Sequence, residues 1–109
     1  MLVNVPADAR KALEHPYRRQ ILRALQPEST RLSPAELTES GPLPRSLSYA
    51  TYHLKVLANS GLAEGVESEP AEGGVTRRFS SLIGDDSPVL TVLRDTEQSD
   101  RQLLEHAGS

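Results

Sequence analysis

The sequence predicts a mainly α chain with one small β-hairpin, on three observations. The 109 residues hold one phenylalanine and no tryptophan, so a core must be built from Leu, Val, Ile and Ala. Helix-start chemistry recurs along the chain, with Ser33-Pro34-Ala35-Glu36 and Ser87-Pro88 pairing an N-cap serine with a proline at the first helical position. Two alternating runs flank the turn residues Pro70-Ala71-Glu72-Gly73-Gly74 near the middle of the chain. Together they predict about five helices and a two-stranded wing.

Asp8 to His15 reads as a short first helix, with Asp8 opposing the positive end of the helix dipole and Ala9, Ala12 and Leu13 as its apolar stripe. Pro16 breaks that pattern and opens a second helix, Pro16 to Leu25. Tyr17, Ile21, Leu22, Ala24 and Leu25 form its buried face, and Arg18, Arg19 and Arg23 a basic outer face, with solvation the expected role of Arg23. Gln26 to Leu32 reads as a loop. The capping box at Ser33 then opens a third helix of roughly two turns, anchored by Leu37 and ending near Ser40-Gly41. Gly41-Pro42-Leu43-Pro44 is a stiff turn.

The next helix, 46–60, organises the chain. Ser46 is its N-cap and Gly61 its C-terminal stop. Leu47, Ala50, Leu54 and Leu57 recur at helical spacing and predict one core face. Ser48, Tyr52, Lys55 and Asn59 fall opposite, with Thr51 at the edge, and no carboxylate is among them. The charge is segregated although the net charge is −3. Gly41 to Gly61 holds Arg45 and Lys55 and no acid, whereas Gly61 to Gly73 holds Glu64, Glu67, Glu69 and Glu72 and no base. A short helix, a turn and a longer helix with a donor-rich front is a helix-turn-helix, and such a front suits a DNA major groove. Runs 62–69 and 75–82 are the strands that follow, which makes the arrangement a winged helix-turn-helix.

A last helix runs from Pro88 to about His106. Val89, Leu93, Thr96 and Leu103 make a seam on it, widened by Leu90, Val92 and Leu104. With the core expected to be closed by the preceding elements, that seam points to a second copy of the chain. Val89, Val92, Leu93, Thr96 and Leu103, with Leu2 and Val5 near the other terminus, are the expected homodimer interface. The alternative is folding back onto the first helix of the same chain, and the two are compatible.

Several function classes lack their residues. The chain has no cysteine, hence no thiolate metal site, disulfide or thiol chemistry. It has no Gly-rich phosphate loop, serine elbow or metal-spaced histidine pair, so an enzyme is not expected. No apolar run reaches the ~20 residues of a membrane span and no signal peptide opens the sequence, so a cytoplasmic protein is expected.

Lys11-Ala12-Leu13-Glu14-His15-Pro16-Tyr17-Arg18-Arg19-Gln20-Ile21-Leu22-Arg23-Ala24-Leu25, Ser33-Pro34-Ala35-Glu36-Leu37, Tyr52-His53-Leu54-Lys55-Val56-Leu57 with Gly61-Leu62, and Gly74-Val75-Thr76-Arg77-Arg78-Phe79 occur in this order. In that order they resemble ArsR-type winged-helix regulators over roughly residues 7–83, the final helix matching in kind only. The resemblance implies a homodimeric transcriptional regulator on an inverted repeat of double-stranded DNA. By position it implies Leu47, Ser48, Thr51 and Tyr52 as groove-facing residues and His53 and Lys55 as residues near the backbone. Leu47 departs from the polar residue usual there; it packs either on a thymine methyl or on the preceding helix. Arg45 and Ser46 at the helix start complete the expected DNA contacts, with Arg77 and Arg78 as the bases able to grip phosphate from an otherwise acidic wing. Metal sensing through cysteine is excluded. Of the cluster Asp100, Glu105 and His106, Asp100 and His106 are six apart and do not share a helix face well, and one histidine is too few for a zinc site; the three read as surface polar residues and His15 as structural, so no metal or other cofactor is expected. The sequence does not decide whether a small-molecule effector is sensed. The rival reading is a winged-helix protein-interaction module, which the acidic first strand of the wing favours.

Overall fold

A computed structural model describes residues 5–40, 46–67 and 77–107. Within them are α1 (Ala7–Ala12), α2 (Pro16–Leu25), α3 (Pro34–Ser40), α4 (Leu47–Asn59), β1 (Ala63–Glu67), β2 (Arg77–Ser81) and α5 (Pro88–Ala107). The expected turn 41–44, the hairpin turn 70–74, and Leu2 and Arg45 lie outside the described residues.

Local chemistry accounts for each boundary. Helix α1 stops three residues short of the expected end because His15 is extended, as a residue before proline must be. His15 instead caps α2, its Nδ1 accepting the Tyr17 N–H at 3.2 Å. At α3 the capping box closes both ways: Ser33 Oγ accepts from Glu36 N–H at 3.1 Å, and Glu36 Oε1 accepts from Ser33 N–H at 3.0 Å. Ser46 Oγ accepts the Tyr49 N–H at 3.1 Å to start α4. At its other end Gly61 turns left-handed with φ 81°, and Leu62 N–H returns to the Leu57 carbonyl while Gly61 N–H returns to that of Ala58. A Cβ at Gly61 meets nothing within 4 Å, so only backbone strain opposes a side chain there. Gly61→Ala is therefore expected to cost about 1–2 kcal/mol in urea unfolding, the usual penalty of an L-residue in that conformation.

Strands β1 and β2 pair antiparallel, Ala63 opposite Ser81 and Glu67 opposite Arg77, within the wider runs expected. Phe79 of β2 also exchanges two backbone bonds with Leu32, at 3.0 and 2.8 Å, so the segment expected as a plain loop docks on the free edge of the hairpin.

Tyr17, Ile21, Leu22, Leu25, Leu37, Leu54 and Leu57 are fully buried at the centre. Ala9 and Ala12 of α1 and its C-cap Leu13 join this core, and α5 packs on α2 and adds Val89 and Leu93 to it. Two expectations are corrected here. Val5, Val89 and Leu93, assigned to a dimer interface, are buried in the core of their own chain. Arg23, assigned to solvent, and Arg19, placed on the outer face, cross to α5 and hold Asp100. Arg19 grips that carboxylate with two bonds, Nε to Oδ2 at 2.7 Å and Nη2 to Oδ1 at 2.6 Å, and Arg23 Nη2 adds a contact at 2.9 Å. Arg23 also donates to the Leu93 carbonyl and to Thr96 Oγ1. Asp100 is 0% exposed and is no surface residue. Burial pulls its pKa up, but the hydrogen bonds and charges of Arg19 and Arg23 together outweigh that and hold it below the usual carboxylate value.

Leu47 is corrected as well. It is 55% exposed. Helical side chains lean toward the N-terminus, so the first residue of α4 leans past the end of the helix instead of onto the core.

Candidate nucleic-acid interface

Ala50, Leu54 and Leu57 anchor α4, and this anchoring turns the opposite face outward. Leu47, Ser48, Thr51, Tyr52 and Lys55 line one open depression of about 390 Å³ along the helix. Ser48, Lys55 and Asn59 are exposed and Tyr52 is 61% exposed. Thr51 is half-buried and its Oγ1 donates to the Leu47 carbonyl at 2.8 Å, which leaves its oxygen lone pairs and methyl for a partner. Ser46 is exposed, but its oxygen is engaged as the cap. The helix contributes donors, a phenol and one ammonium to this surface and no acid.

His53 departs from the expected position near a phosphate. Its side chain is 3% exposed, so it cannot reach DNA from where it sits. The sequence did hold the signal: His53 stands three residues after Ala50 and four before Leu57, on the apolar face. Its ring lies 4.5 Å from those of His15 and Tyr49 and 5.1 Å from that of Tyr17. Tyr52 packs edge-on against it at 5.0 Å, which ties an outward residue to this inner cluster. Burial, then the charges of His15 and Arg18, lowers the His53 pKa from 6.5 to about 4. His15 is lowered too, by burial and by Arg18 and Arg19.

The sign of the pH effect follows. The folded chain keeps His53 neutral while the unfolded chain protonates it near 6.5, so the unfolded state binds more protons between those values. Stability is therefore full above about pH 6.5 and falls as the pH drops toward about 4, by roughly 3 kcal/mol for a shift of this size. Urea midpoints across that window are expected to track this loss, and His53→Phe is expected to flatten it.

The wing presents little positive charge. Arg77 and Glu64 are exposed. Arg78 is half-exposed, and its Nε pairs with Glu36 Oε1 of the α3 cap at 3.0 Å. The Ser33 backbone bond and then Arg78 lower the Glu36 pKa. Arg78 thus ties the wing to α3 as well as facing solvent.

Of the remaining residues assigned to a dimer interface, Thr96 is half-buried and bonded to Arg23, Val92 is half-buried, and Leu103 is 57% exposed. Among the described residues no group of three or more His, Asp or Glu is placed to hold a metal ion, and the His106 side chain lies outside them. No helix among them is long and apolar enough to cross a membrane.

The described residues form a mainly helical chain of five helices, with α3 and α4 followed by a two-stranded antiparallel hairpin, an order of elements compatible with a winged-helix fold. No family model, curated protein or solved structure matches the chain.

Proposed function

We propose that the chain is a sequence-specific DNA-binding transcriptional regulator of the ArsR winged-helix type, acting as a homodimer on an inverted repeat. One observation carries the reading: the exposed face of α4 gathers Ser48, Thr51, Tyr52 and Lys55 without a carboxylate, in a chain with more acids than bases. Ser48, Thr51 and Tyr52 then meet base edges in the major groove, and the Leu47 side chain, being outward, meets a thymine methyl. Lys55 and Arg77 meet phosphates and fix the register. Two copies related by a twofold axis present two such helices about one DNA turn apart, ~34 Å. Exposed Leu103 and half-buried Val92 remain as the outward apolar residues of α5 for that contact.

Selection of bound fragments from random duplex DNA tests the reading. The parent chain is expected to enrich one inverted repeat, and Ser48→Ala with Tyr52→Ala to bind DNA while losing most of the discrimination among sites. Failure to enrich any sequence contradicts it. That failure favours the second reading, a protein-interaction module, for which the observation is that Glu36 engages Arg78 while Glu64 stays exposed on the wing.

A further inference from the structure

A cleft of about 380 Å³ lies between α1, α2 and α4 from Tyr52 onward. Lys11 and Ala12, Arg18, and Tyr52, Val56 and Asn59 form its walls. Its charge is net positive, because Asp8 is the one acid in the lining against two cations. Among the described residues neither Lys11 nor Arg18 is in an ion pair. Arg18 Nε is buried and has no hydrogen-bond partner among them. Ala12, Val56 and the flank of the Tyr52 ring supply an apolar wall beside these donors. The volume falls within the range of small-molecule sites, about 300–1,000 Å³, and one side is open for entry.

We propose that this cleft binds a small organic anion, a carboxylate or phosphate monoester on a short apolar or aromatic body, and that Tyr52 links its occupancy to the outer face of α4. Arg18 and Lys11 hold the charged group, and Ala12, Val56 and Tyr52 hold the body. Tyr52 lines both this cleft and the groove-facing depression. A ligand that fixes its ring in the cleft withdraws it from DNA, and by reciprocity DNA weakens the ligand. A duplex phosphate is a poorer occupant, since it carries no apolar body to set against Ala12, Val56 and Tyr52. The binding half of the inference stands on the cleft alone; the coupling half rests on the DNA-binding reading.

The test titrates the isotope-labelled full chain with benzoate and, separately, with phenyl phosphate, first without DNA. The amides of Ala12, Tyr52, Val56 and Asn59 are expected to shift with at least one of the two, and the more effective anion names the head group. Arg18→Ala is expected to lower the affinity about tenfold or more, and Lys11→Ala, at an exposed position, gives a smaller loss if the first variant folds poorly. No shift at those amides with either anion, or binding unchanged in both variants, overturns the site. If neither anion binds and Arg18→Ala weakens duplex binding with a salt slope lower by about one, the cleft is a backbone contact and the proposal fails. With an enriched duplex present, the bound anion is expected to lower duplex affinity. Anion binding that leaves duplex affinity unchanged overturns the coupling alone. Anion binding by a chain that enriches no duplex keeps the site and removes the regulator.

Discussion

Asp100→Asn is expected to destabilise the chain by about 3–5 kcal/mol, the usual cost of breaking a buried ion pair from one side. The carboxylate sits against two guanidiniums at 2.6 to 2.9 Å, and both arginine side chains are themselves largely buried. Neutralising it leaves two positive charges facing each other between α2 and α5 with one amide oxygen between them. For a domain of this size the melting temperature is expected to fall by at least about 10 °C. Replacing all three residues together, Arg19→Met, Arg23→Leu and Asp100→Leu, is expected to recover most of the loss, because the desolvation of the charges disappears with them. An Asp100→Asn midpoint within about 0.5 kcal/mol of the parent, the range of ordinary surface changes, would show that α5 does not rest on this clamp in solution. The pH windows separate this pair from His53. A carboxylate held below its ordinary value contributes above about pH 3.9 and loses that contribution as the pH falls further, whereas the histidine acts between about 6.5 and 4.

Lys55→Glu is expected to weaken binding to every duplex, enriched or not. On the DNA-binding reading the substitution would remove one phosphate contact and set a carboxylate against the backbone, together about 2 kcal/mol or roughly thirtyfold. The salt slope is expected to fall as well, since one counterion fewer is released. Lys55 is exposed and off the core, so the fold is expected to be unaffected. Fluorescence anisotropy over a salt series reads affinity and slope together. A variant that binds as the parent does at each salt concentration places the phosphate contact elsewhere.

The features legible in the sequence are those set by neighbours in the chain. The bounds of α2, the reciprocal cap at Ser33 and Glu36, and the serine and glycine that bracket α4 depend on residues within a few positions of one another. What escaped depends on partners far along the chain. Asp100 is 81 residues from Arg19, and nothing in its own helix distinguishes it from the exposed Asp95. The pairing of Leu32 with Phe79 is equally remote. The seam of α5 was legible as apolar, but the surface it covers is α2 and the core of its own chain, which spacing along one helix does not reveal. The candidate interface divides similarly. Periodicity alone turned Ser48, Tyr52 and Lys55 outward, but it also set Leu47 inward by ignoring that side chains at a helix start lean off its end. Positional likeness put His53 outside, where its spacing from Ala50 and Leu57 put it inside.

The absence of cysteine gives the most direct test of whether the outer face of α4 enters the groove. A single Ser48→Cys carries an iron-chelate cleavage reagent onto that face without competing thiols. With an enriched duplex, cleavage is expected in two clusters, one per half-site, centred about 10 base pairs apart and opening from the major groove. The same reagent on Gln98→Cys, exposed on α5, is expected to leave the duplex intact. Cleavage from position 98 with none from position 48, or uniform cleavage from both, would contradict the account.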